Sequence, residues 1–460
     1  MIGDSDVRDV LAQALSTGGD FAELYAETRS STSARLDDRR VEELTTGLDR
    51  GAGVRVLSGR ATAYAYTNRL DRDSLLEAAK VAAAAVSSAE RTEVRDLRRA
   101  PERQTAEVRV APSDITSERK VGILLEMDDV ARSMGAEVVQ VQAVYADLVQ
   151  DVLIANSLGE LVTDRRVRTR GACIVVAARD GVVQTGFEAP GATVGFELFE
   201  QHTPNDIATT AAKQALVMLD SVPAPAGEMP VVLAPGGGGV LFHEACGHGV
   251  EADGIEKGAS IYAGKLGQQV GSELVNGVDD ASLAGEWGSY GYDDEATPSR
   301  RTSIFEKGVL MSYLADRRTA RLLGIDPTGN GRRQSYAHLP VPRMTNTFIL
   351  PGSDDPDAIL RGTPTGLYAK SFSGGQVDPA TGDFVFGLGE AYLISGGELT
   401  TPVRGATLVG YGPDVLQRVD AVGSDLDLWT GNCGKEGQMV PANVGMPTVR
   451  LERMTVGGTG

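Results

Sequence analysis

Two histidines and a glutamate follow a glycine-rich turn in Pro235-Gly236-Gly237-Gly238-Gly239-Val240-Leu241-Phe242-His243-Glu244-Ala245-Cys246-Gly247-His248. Residues of these types hold a divalent metal and use it to activate water. In the zinc-protease pattern H-E-x-x-H the histidines stand four apart and share one face of an α-helix. Here His243 and His248 stand five apart. On a regular helix of 3.6 residues per turn that spacing turns their side chains about 140° away from each other. One ion cannot take both from a regular helix. A π-type turn, with i to i+5 bonding, absorbs one extra residue and returns the pair to one face, and such bulges gather at functional sites. Gly247 suits a distorted turn through its backbone freedom. A buried helix could carry two histidines by chance, but the chain has only four in all, and two of them bracket a Glu.

These residues and others downstream resemble the TldD/PmbA metalloprotease family, in particular its TldD (catalytic) subunit, which carries an H-E-x-x-x-H motif. The similarity runs from His243 to Asp253 and continues in Asp293-Asp294-Glu295-Ala296-Thr297-Pro298, Pro342-Arg343-Met344-Thr345-Asn346-Thr347, Gly375-Gln376-Val377-Asp378-Pro379 and Gly431-Asn432-Cys433-Gly434-Lys435. It covers the C-terminal half densely and the N-terminal half only in pattern. Cys246 departs from the family, which has a plain apolar residue there. The resemblance implies a zinc-dependent metallopeptidase that hydrolyses unfolded or small peptides, in peptide maturation or degradation. It also implies a hetero-oligomer with a TldE-like paralogue that lacks the metal motif, an assembly that encloses the site and admits only extended chains.

A catalytic Zn2+ takes three protein ligands and keeps the fourth position for water. His243 and His248 supply two, and by resemblance Cys433 is the third. Cys173 lies in an apolar strand-like run and reads as a small buried hydrophobe. Cys246 reads as helix packing. Glu251 and Asp253, the oxygen donors that rival Cys433, read as groups that orient the histidines. Glu244 is the expected general base, a carboxylate placed to take a proton from water and pass it to the leaving amine. For the developing oxyanion, His338, Tyr336 and Arg343 are all available, and the sequence does not choose among them. The glycine run lacks the G-K-[ST] ending of a phosphate loop and reads as a strand-to-helix turn. The alternative is a non-catalytic zinc-bearing regulator or partner protein. A structural zinc site usually has four protein ligands and no use for an unliganded carboxylate beside them, so Glu244 favours the enzyme.

The elements that must position these residues fall into three groups, read as an N-terminal α+β unit at 1–90, a second at 113–222 and a C-terminal domain at 227–460. In the first unit, Val7, Val10, Leu11 and Leu15 fall at helical spacing. Strand-like runs follow at 23–28, 35–46, 53–57 and 61–67, and an Ala-rich helix closes the unit from about Ser74 to Val86. An Arg/Glu-rich linker runs from about Ser87 to Pro112. The second unit repeats the order: a helix carrying Val121, Leu124, Leu125, Met127 and Val130, strands at 138–148 and 152–155, turns at Asn156-Ser157-Leu158-Gly159 and Asp180-Gly181, and a helix from about Ile207 to Leu219. Beyond the Pro-rich boundary at 222–226, short strand runs alternate with Gly, Pro and Asp turns. The fold class is α+β: two helix/antiparallel-sheet units, then a mainly β domain carrying one metal-binding helix.

At 460 residues the chain has room for two or three domains with sizeable cores. The formal net charge of −19 argues against nucleic-acid binding, which relies on cationic surfaces. The N-terminus has no basic n-region with an apolar core, and no apolar run approaches the roughly twenty residues of a membrane span. The expected location is cytoplasmic, with no membrane partner, and three cysteines fit a reducing compartment.

Overall fold

The computed structural model describes residues 2–86, 92–103 and 106–458. Helix α1 (Asp4–Ala14) buries Val7, Val10, Leu11 and Ala14. Three antiparallel strands follow, β1 (Phe21–Asp37), β2 (Arg40–Ser58) and β3 (Ala61–Thr67), and then α2 (Arg72–Ala84), whose first turn is capped by the Asp71 carboxylate accepting from the Ser74 N–H. The run expected as one strand at 35–46 is broken at Asp38 and Arg39, which take left-handed φ values of 47° and 69° and form a tight hairpin turn. The Asp-Arg pair lacks the glycine that normally marks such a turn, so the sequence pattern passed over it.

Of the linker expected at 87–112, residues 87–91 and 104–105 lie outside the described residues. Part of the remainder is structured: β4 (Arg98–Arg99) pairs in parallel with the start of β6 (Glu160–Arg179). Between them come α3 (Ser117–Ser133), capped by Thr116, and β5 (Val138–Asn156). β7 (Val182–Glu188), β8 (Gly191–Ala192) and the helix Pro204–Met218 complete this part. Gly159, Asp180 and Gly181 take the left-handed φ that the expected hairpins require.

The two N-terminal units share one sheet, in the order β3-β2-β1-β5-β6-β4, with β7 and β8 also on β6. The joint is β1 against β5, antiparallel from Glu23 opposite Asn156 to Asp37 opposite Gln142. On one face, α1 and α2 cover Leu24, Val54 and Val56, while α3 and the Pro204–Met218 helix cover Ala34, Tyr145 and Val175. β3 pairs with β2 only over Ala52–Ser58, and β2 is exposed on both faces over residues 40–50.

The C-terminal part is mainly β. Strands Gly227–Leu233, Val449–Gly457, Thr407–Tyr411, Asp383–Ser395 and Thr365–Val377 pair in a closed ring. A six-stranded sheet has Asp427–Lys435 as its outermost strand, next to Gln438–Met446. The apolar interior of both forms one continuous core that includes Phe242, Phe305, Phe386, Met344 and Met446.

The stretch Asp293–Pro298 builds the junction between the two parts. Glu23 of β1 accepts from Arg55 of β2 and from Arg333, and Arg55 also reaches Glu295. Asp294 accepts from Arg166 of β6 and from the Arg333 N–H, and the Arg333 guanidinium lies 4.3 Å from the centre of the Tyr25 ring. All these charges are buried. Burial, reinforced by Glu295, pushes the Asp293 and Asp316 carboxyls upward. Removing one partner from such a set leaves an uncompensated buried charge. Arg333→Met should therefore destabilise the protein by about 3–5 kcal/mol in chemical denaturation. A loss below about 1 kcal/mol, the value typical of surface ion pairs, would show that this network does not hold the junction.

Candidate metal centre

The strand Gly227–Leu233 leads to Gly236, whose φ of 70° makes the turn, and the helix begins at Gly239. From His243 to Gly247 the helix widens by one residue. The His248 N–H donates to the His243 carbonyl, an i to i+5 bond, and the two imidazoles come to 5.2 Å between ring centres at 90°. Gly247 has ordinary helical dihedrals, φ −56° and ψ −52°, so the distortion does not draw on its backbone freedom. A Cβ at Gly247 would lie 2.0 Å from Met344 Sδ. That close approach is what requires glycine, and it places the Pro342–Thr347 stretch directly beneath the helix.

Cys433 reaches the histidines from the outermost strand of the six-stranded sheet, with Sγ 3.5 Å from His248 Nε2. One ligand atom each from His243, His248 and Cys433 lie within 4.8 Å of one another. Glu244 is partly exposed beside them, its Oε2 3.8 Å from His248 Nε2. Among the described residues no further His, Cys, Asp or Glu joins this group.

The electrostatics favour charged partners. Burial alone would raise the Cys433 thiol, but His243 and His248 overcome it and hold its pKa well below the ordinary value. Burial works to lower His248, yet Glu251 and then Cys433 hold its pKa well above the ordinary value. Glu251 accepts from His248 Nδ1 at 2.9 Å. Burial would raise this carboxyl too, but Lys435 and His248 bring it down to about 2.

Two imidazoles and a thiolate suit a borderline-soft divalent ion such as zinc. His243 Nδ1 is buried and has no hydrogen-bond partner among the described residues. Cys246 lies in the hydrophobic core, its thiol pushed up to about 12 by burial. Cys173 is buried in the N-terminal core.

The three oxyanion candidates separate. Tyr336 packs on the N-terminal sheet, where its ring fills the space that a Cβ at Gly51 would need. His338 is hydrogen bonded through Nδ1 to Ser335 Oγ at 2.8 Å. Arg343 is fully buried and donates to the Cys433 and Gln438 carbonyls, so its guanidinium braces the Cys433 strand. Asp253 pairs with Lys435, a residue that sequence reasoning singled out only within a similar stretch.

Comparison with known proteins covers the whole arrangement. The family model of the PmbA/TldA metallopeptidase C-terminal domain matches residues 226–458, the central-domain model 111–219 and the domain 1 model 22–86. A Haemophilus influenzae protein named Metalloprotease TldD homolog is 40% identical over 454 residues, covering 96% of this chain and 93% of that protein. A Saccharolobus solfataricus protein named Zinc metalloprotease TldD homolog is 32% identical over 287 residues, 62% of this chain and 64% of that protein. Among solved structures, TldE from Thermococcus kodakarensis shares the fold, with a TM-score of 0.80 at 17% identity over 98% of this chain and 100% of that one.

Proposed function

This chain belongs to the PmbA/TldD metallopeptidase family, and from that premise we propose that it is a zinc-dependent peptidase that cleaves unfolded or small peptides, with His243, His248 and Cys433 as ligands and Glu244 as general base. The observation that carries the reading is the convergence of two imidazoles and a thiolate within 4.8 Å, with Glu244 beside them. A structural zinc site usually closes with four protein ligands, and here three converge among the described residues. The name of the Saccharolobus solfataricus relative supports zinc as the metal.

Zinc held by these residues supplies Lewis-acid polarisation of water and of the scissile carbonyl. Glu244 takes a proton from the attacking water on its carboxylate and returns it to the leaving amine. Glu251 fixes His248 by accepting its Nδ1–H, leaving Nε2 for the centre. Arg343 holds the Cys433 carbonyl and so the direction of the thiolate. An extended substrate fits the outer edge of strand Asp427–Lys435, where main-chain pairing selects an unfolded backbone over a side-chain sequence. The test is cleavage of an unfolded protein by the purified chain with and without chelator. Loss of cleavage with chelator and recovery with added zinc is expected, and undiminished cleavage by metal-free protein contradicts the reading.

The reading includes a TldE-like, motif-less paralogue as partner, an enclosed assembly and a cytoplasmic setting. Among the described residues no helix is long and apolar enough to cross a membrane. What supports the partner is the structure of TldE on the same fold and the edge of β2 over residues 40–50 that β3 leaves uncovered. Val41, Leu44 and Leu48 are exposed along that edge, Leu48 at 72%. Long edge strands with exposed apolar side chains are natural pairing surfaces. Leu48→Lys should weaken association with the paralogue at least about tenfold, ~1.4 kcal/mol, in analytical ultracentrifugation, with the unfolding temperature of the single chain unchanged. Unchanged association would remove this edge from the interface.

A further inference from the structure

Lys435 lies two residues beyond Cys433 on the same strand, so by the period of a β-strand its side chain emerges on the face from which Cys433 reaches the histidines. Its ammonium donates to Glu251 Oε2 at 2.9 Å, to Asp253 Oδ1 at 2.6 Å and to the Pro342 carbonyl at 3.1 Å. An ammonium has three N–H groups, and all three are used. Glu251 Oε2 is also the oxygen that His248 Nδ1 contacts at 2.9 Å. One carboxylate oxygen therefore joins the residue three places beyond one expected ligand to the residue two places beyond another. The other Glu251 oxygen is buried without a partner among the described residues.

We propose that Lys435 is a positioning residue for the metal centre: through Glu251 it docks the Cys433 strand onto the His248 turn, so that thiolate and imidazole arrive at one point. The proposal rests on the metal reading above. The docking is needed because the two ligands come from unconnected elements, 185 residues apart in the chain. Cys433 lies on the outermost strand of its sheet, which has ladder pairing on one side only and must be held from elsewhere. Arg343 braces the Cys433 carbonyl, while Lys435 ties the same strand to the helix and to Pro342, the residue before Arg343. Without the ammonium, Glu251 and Asp253 face each other across a vacated position, and Glu251 loses the charge that keeps its oxygen fixed for His248.

The test is zinc affinity of the full chain, by competition with a chromophoric chelator, for wild type, Lys435→Met, Lys435→Gln, Glu251→Gln and the Lys435→Met/Glu251→Gln double variant. Absorption spectra of the cobalt-loaded proteins report thiolate ligation alongside. Groups that orient a ligand change metal affinity by about 10–100-fold when removed, so both Lys435 variants should weaken zinc by that amount and lose intensity in the thiolate-to-cobalt band. Because the effect runs through Glu251, the double variant should bind about as weakly as Glu251→Gln alone. Zinc affinity of the Lys435 variants within about twofold of wild type, or fully additive losses, would overturn the proposal. So would loss of near-ultraviolet circular dichroism in both apo variants, which would make Lys435 a folding residue. Failure of the wild-type chain itself to bind zinc would sink the metal reading and this inference with it.

Discussion

Glu244→Gln should bind zinc as tightly as the wild-type chain while peptide cleavage falls by about 10²–10⁴-fold, the range that a positioned general base contributes. The amide keeps the shape of the side chain and removes only its capacity to take a proton. The ligand atoms are untouched: Glu244 is not among the three residues that converge, and its Oε2 lies 3.8 Å from His248 Nε2. Elemental analysis and a cleavage assay on one preparation read both quantities. Near-wild-type cleavage by the variant would remove Glu244 from the proton path. Loss of zinc together with activity would instead make it a ligand.

Cys433→Ser should lower zinc affinity by about two orders of magnitude, ~2.7 kcal/mol, and abolish cleavage at limiting zinc. A hydroxyl is a far poorer ligand than a thiolate for a borderline-soft ion. His243 and His248 hold the Cys433 thiol well below its ordinary pKa against the opposing effect of burial. Cys246→Ala is the matched control. Its thiol sits in the core and is pushed up to about 12 by burial, so it stays protonated near neutral pH, and its removal should leave zinc occupancy intact. The reverse pattern, with occupancy lost in Cys246→Ala and kept in Cys433→Ser, would move the third ligand into the helix.

The metal helix was legible because its information is local. A five-residue spacing between His243 and His248 asks for a widened turn, and the i to i+5 bond supplies it. The helices were legible within a few residues for the same reason: α1 presents Val7, Val10 and Leu11 at helical spacing, and all three are buried. What escaped depends on contacts distant in sequence. Gly247 suggested backbone freedom, yet it answers to Met344, about a hundred residues away. Asp293–Pro298 resembled a family motif with no visible purpose, and its role at the junction with Glu23, Arg55 and Arg166 exists only once β1, β2 and β6 share a sheet. The β1–β5 pairing that joins the two units leaves no trace in periodicity, because edge-to-edge pairing changes which strand is a neighbour and not which residues face inward. Arg343 stood among three oxyanion candidates because an arginine in a polar stretch carries no mark of its burial; the side chain is fully buried, with two of its guanidinium nitrogens donating to carbonyls.

X-ray absorption at the zinc edge of the purified chain reads the ligand atoms themselves. One sulfur at about 2.3 Å, two imidazole nitrogens at about 2.0–2.1 Å and one further light atom are expected, with the sulfur lost in Cys433→Ser. A shell without sulfur, or one with four protein ligands that survives Cys433→Ser, would contradict this ligand set.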